Sequence, residues 1–104
     1  MTSPIFENKI QIPAALLLMA EDDVMIACQD IQEGTEIGGP SNPFRTQNRV
    51  PSGHKVARHR ISKGSAVRKF GQVIGFASEN IESGCHIHSH NLEAGSFARE
   101  YQFG

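Results

Sequence analysis

Ala27-x-x-x-Ile31-x-x-Gly34-x-x-Ile37, Ala57-x-x-x-Ile61-x-x-Gly64-x-x-Val67 and Ala77-x-x-x-Ile81-x-x-Gly84-x-x-Ile87 are three copies of one pattern, and their reading decides the fold. Each has Ala four before Ile, Gly three after it and a β-branched residue three further on. Four positions matched in three copies are poorly explained by chance. The copies begin thirty and then twenty residues apart, too irregular for a solenoid, so they read as repeated supersecondary units within one domain. Val24-Met25-Ile26-Ala27 and Val73-Ile74-Gly75-Phe76-Ala77 lead into two of them and are rich in strand formers. The Gly follows two polar residues in Gln32-Glu33-Gly34, Ser62-Lys63-Gly64 and Glu82-Ser83-Gly84, which predicts a type I turn closed at positive φ, where glycine carries no Cβ penalty. The unit is a strand, a tight turn and a second strand, with the Ile packed inward.

Outward from the repeats, residues 38–53 hold so many Gly, Pro, Asn and Ser that they read as a long loop. Ala14-Ala15-Leu16-Leu17-Leu18-Met19-Ala20 has a helical composition, but Pro13 and Glu21-Asp22-Asp23 hold it to strand length, and in a β chain it reads as strand. The expected organisation is an N-terminal extension over 1–14, one domain over 15–92 and a tail over 93–104 whose Phe97, Tyr101 and Phe103 pack on the domain or lead to a partner.

At 104 residues, with 38% hydrophobic residues, 10 Gly and no Trp, the chain has room for one domain with a thin core. Two cysteines, Cys28 and Cys85, are too few for a disulfide scaffold and read as structural in a reduced, cytoplasmic protein. The apolar run from Ala14 to Ala20 is far short of the roughly 20 residues of a membrane span, so no membrane role is expected. The net charge of -1 hides a polarity: no acid lies between Ile37 and Ser78, where Arg45, Arg49, Lys55, Arg58, Arg60, Lys63, Arg68 and Lys69 fall. Such a segment attracts carboxylates, phosphates or an acidic surface. With only Phe44 and Phe70 among these bases, it lacks the aromatic interleaving of a single-strand binder, and no nucleic acid is expected.

Cys85-His86-Ile87-His88-Ser89-His90-Asn91-Leu92 carries the chemistry. In a strand His86, His88 and, if the strand persists, His90 share a face while Ile87 points away, with neighbours about 7 Å apart, close enough for two imidazoles to converge on a metal. The position of His86 is Glu36 and Ala66 in the other copies, so the fold does not demand histidine there. Two histidines make an incomplete site that another ligand or chain has to finish. His54, beside Lys55, is a candidate for an anion site, and His59 reads as a surface residue.

Gly53-His54-Lys55-Val56-Ala57, Ile61-x-x-Gly64, Lys69-Phe70-Gly71-Gln72-Val73-Ile74-Gly75 and Ile81-x-x-Gly84-x-His86-Ile87-His88-x-His90-Asn91-Leu92 together resemble the small N-terminal SAF domain of the altronate and galactarate dehydratases. The resemblance implies an all-β, β-clip fold of short strands and tight Gly turns, similar to the C-terminal domain of sialic acid synthases and to antifreeze proteins. It further implies the small subunit or N-terminal domain of a sugar-acid dehydratase. Such an enzyme removes water from a hexonate or hexarate to give a 2-keto-3-deoxy acid, and it uses a divalent metal, iron or manganese. On this reading His86 and His88 are catalytic and metal-binding, and His54, Lys55 and His90 bind substrate. The partner is a large catalytic dehydratase subunit or domain, the chain has little activity alone, and a homo-oligomer is possible. Cys85 stands where Glu is common and Phe70 where Tyr is common. The small subunit of sulfolactate sulfo-lyase shares the motifs, and a non-catalytic module gripping an anionic carbohydrate is the rival reading.

Overall fold

In the computed structural model residues 13–94 are described, and among them there is no helix. The strands are β1 (Ala15–Leu16), β2 (Val24–Ala27), β3 (Glu36–Ile37), β4 (Phe44–Arg45), β5 (Lys55–Ala57), β6 (Ala66–Lys69), β7 (Gln72–Ala77), β8 (His86–Ile87) and β9 (Leu92–Glu93). They form a four-stranded sheet in the order β1-β2-β5-β8, the pair β3-β4 and a three-stranded sheet β6-β7-β9, with every pairing antiparallel. The expected all-β architecture is present. The strand expected over Ala14 to Ala20 shrinks to Ala15–Leu16, paired with Ile26 and Ala27. The aromatic tail from Phe97 onward lies outside the described residues.

The repeat has a fourth copy, Thr46-x-x-x-Val50-x-x-Gly53-x-x-Val56, inside the stretch read as loop. The copies work in two pairs, each built by reciprocal backbone bonds. In one pair Ile31 and Val50 exchange N–H···O bonds of 2.9 and 2.8 Å, while Gly34 N–H donates to Thr46 O and Gly53 N–H to Ala27 O, both at 2.8 Å. In the other, Ile61 and Ile81 exchange bonds of 2.7 and 2.8 Å, with Gly64 N–H on Ala77 O and Gly84 N–H on Ala57 O. Thr46 stands where its counterparts have Ala. It is buried, and its hydroxyl donates to Gln32 O and accepts from Thr35 N–H.

Each turn closes by a bond from the residue after Gly to the residue two before it, as in Thr35 N–H to Gln32 O and His54 N–H to Pro51 O. Gly is then the third turn residue, and φ values of 82 to 87° at Gly34, Gly53, Gly64 and Gly84 make these type II turns, not the type I turns expected.

Each pair has its own core. Ala27, Ile31, Ile37, Val50 and Val56 pack with Ala15 and Met25 in one cluster; Ala57, Ile61, Val67, Ala77, Ile81 and Ile87 pack with Val24 in the other. Two small cores joined through β2 and β5 replace the single core that so short a chain leads one to expect.

The charge polarity of the sequence is cancelled in space for three of the eight cations. Arg45, Arg49 and Arg60 pair with Glu36, Asp30 and Glu82, and His59 lies 3.0 Å from Asp23. The three arginine pairs are exposed and each is worth under about 1 kcal/mol, so they matter more for the surface field than for stability.

Candidate functional site

Two turns deliver the histidines. His54 directly follows Gly53 in the fourth copy of the repeat, and β8 begins with His86, two residues after Gly84. Antiparallel pairing of β5 with β8 sets Lys55 opposite Ile87 and Val56 opposite His86, so alternation places His54, Val56, His86 and His88 on one face. His54 Nδ1 lies 2.9 Å from His86 Nε2. The His54 and His88 rings stack with centroids 4.8 Å apart, and those of His86 and His88 stack at 5.7 Å. One ligand nitrogen from each of the three lies within 4.8 Å of the others.

Two asparagines hold this arrangement. Asn48 Oδ1 accepts the His86 N–H at 3.1 Å. Buried Asn91 accepts the His88 N–H through Oδ1 and donates through Nδ2 to His86 O, fixing the turn just past β8. Neither stood out in sequence, although Asn91 lies within the quoted His motif.

His54 and His86 are half-buried and His88 is exposed, so the site is a shallow one at the surface. Burial first, and then Coulombic repulsion with His54, His90, His88 and Lys55, holds His86 below its ordinary range. At neutral pH its imidazole is neutral and can ligate or accept a proton.

His86 and His88 come together as expected, and His54 joins them as a third nitrogen donor. The strand stops at Ile87, so His90 does not continue the row; its ring lies tilted at the rim, 5.7 Å from His86. Lys55 shares the Ile87 face of the sheet, opposite the histidines. Burial and then the charge of Lys69 lower its ammonium pKa.

Cys85 is half-buried against the second core, as a structural residue should be, whereas Cys28 is exposed, contrary to expectation. Among the described residues no helix is long and apolar enough to cross a membrane.

Three imidazoles with no carboxylate among them are a donor set that suits a borderline divalent ion.

The family model of the altronate/galactarate dehydratase SAF domain matches residues 13–95. The altronate dehydratase of Escherichia coli (strain K12) is 40% identical over 72 residues, which are 69% of this chain and 14% of that protein. That of Bacillus subtilis (strain 168) is 35% identical over 73 residues, 70% of this chain and 15% of that protein. The chain therefore spans only about a seventh of the length of these curated relatives, and it belongs to the SAF-domain family of the altronate and galactarate dehydratases.

Proposed function

We propose that the chain is the small, histidine-bearing part of a sugar-acid hydro-lyase and acts in a composite site with a larger catalytic region. The observation that carries this reading is the convergence of His54, His86 and His88 from two different repeat units. A structural role does not call for three imidazoles gathered at the surface, and two related altronate dehydratases share this domain.

Loss of water from a hexonate or hexarate needs a base for the proton α to the carboxylate, stabilisation of the enediolate and an acid for the departing hydroxyl. His54, His86 and His88 would hold a divalent ion, which would supply positive charge to stabilise the enediolate. Neutral His86 needs no deprotonation before it ligates. His90, on the rim, faces the acid substrate, and Lys55 adds positive potential from the far side of the sheet without touching the histidines. No second cluster of acids and bases accompanies the histidines among the described residues, so the proton transfers fall to the larger region.

The test combines the chain with its cognate large dehydratase chain and follows 2-keto-3-deoxy acid formation from altronate and galactarate. The pair is active and the small chain alone is not, while His86→Ala and His88→Ala each lower the rate at least a hundredfold. Full activity of the small chain alone, or of the pair carrying His86→Ala, contradicts the reading.

A further inference from the structure

At the tip of the β6–β7 hairpin Phe70 adopts φ +54°, the one non-glycine residue at positive φ among the described residues. An aromatic side chain pays in backbone strain for that conformation. It gains no burial in return, since Phe70 is 63% exposed.

The conformation is imposed from beneath. Asp22 is buried, and its carboxylate accepts the N–H groups of Phe70 at 2.7 Å, Gly71 at 2.8 Å and Met19 at 3.2 Å. Arg58 braces the same turn by donating to Ala20 O and Asp22 O. Met19 is thereby laid against the hairpin, its Cε 3.6 Å from where a Cβ on Gly71 would stand. Leu16, Leu18, Met19 and Phe70 are the large apolar side chains exposed among the described residues. Asp22 ties the loop carrying Leu18 and Met19 to the tip carrying Phe70, and Leu16 lies just before that loop on β1, an edge strand of the four-stranded sheet.

Two observations bear on the partner this patch fits. The chain matches 14 to 15% of the length of its relatives, so most of such a protein lies beyond the matched part and is available to cover an exposed face of it. The rim carries two cations, Arg68 and Lys69, which adjoin Phe70 and make no ion pair among the described residues, against one carboxylate at the tip, Glu21, whose Oε2 lies 3.5 Å from where a Cβ on Gly71 would stand.

We propose that this patch, anchored by Phe70, is the docking surface for the catalytic region of the dehydratase, which presents an apolar pocket rimmed by carboxylates. The proposal rests on the composite-site reading above. Docking here covers Phe70 and Met19 and sets Arg68 and Lys69 against the partner's carboxylates. The strain at Phe70 is retained because it aims the ring outward.

Phe70→Gly provides the test, since it removes the anchor and relieves the strain together. Sedimentation of the full chain with its cognate large dehydratase chain is expected to show affinity weakened about thirtyfold by Phe70→Gly, with the melting temperature unchanged or raised. Lys69→Glu weakens binding as well, whereas His86→Ala binds normally and abolishes turnover. Binding of Phe70→Gly within twofold of wild type overturns the docking proposal and leaves the composite site standing. Failure of wild type to bind the large chain overturns both. Phe70-dependent dimers of the small chain alone, or apolar dye binding that appears only when residues 1–12 are deleted, assign the patch to a second copy or to the chain's own N-terminus and likewise overturn it.

Discussion

His54 Nδ1 lies 2.9 Å from His86 Nε2 although the two residues are 32 apart in sequence. One must donate to the other, so in the metal-free chain they share a proton that ligation by both nitrogens would displace. Their proximity depends on the β5–β8 register and on the asparagines behind it.

Asn91→Ala removes the acceptor of the His88 N–H and the donor to His86 O. Losing these part-buried bonds is expected to cost about 2 kcal/mol in stability and about 10- to 100-fold in metal affinity, as for other groups that orient metal ligands. Urea unfolding and metal titration of this variant check both.

His86 carries a pH dependence whose sign is fixed. Its folded pKa is held below its ordinary value, so below about pH 6.5 the unfolded chain binds more protons than the folded one, and stability falls as the pH drops. Above that value both forms are neutral and the contribution is flat. The urea midpoint should decline from pH 7 to 5, and His86→Gln should flatten that decline. An unchanged slope counts against the lowered pKa.

Gly84 and Gly34 occupy equivalent turn positions at φ +87° and +82°, but their surroundings differ. A Cβ on Gly84 meets the carbonyl of Arg45, whereas one on Gly34 meets open space. Gly34→Ala should cost only the left-handed conformation, about 1–2 kcal/mol. Gly84→Ala adds a clash with backbone and should cost about 3 kcal/mol or more. Thermal melts of the two variants separate the effects, and equal losses would refute the close approach of residues 45–48 to this turn.

Three of the four repeat units could be read because Ala, Ile and Gly recur at fixed spacing. The fourth escaped because Thr46 and Val50 replace Ala and Ile while Pro, Asn and Ser dominate around them. Its hydrogen-bond pattern is the same as that of the others, so the backbone conserves what the side chains disguise. The miss had a consequence for the site. His86 and His88 are neighbours whose shared face follows from strand alternation, but His54 reaches them only through pairing between distant strands, which no local pattern reports. His90 leaves the row for a local reason, since the turn tied by Asn91 ends the strand before it. The patch at Phe70 was equally hidden, because it depends on Asp22, 48 residues away.

The central claim is that His54, His86 and His88 form one site. Calorimetric titration of iron(II) under anaerobic conditions into wild type, His54→Ala, His86→Ala, His88→Ala and the control His59→Ala tests it most directly. The account predicts one ion per chain for wild type and His59→Ala, and loss of at least tenfold in affinity for each of the other three. Binding by His54→Ala as tight as wild type would contradict it.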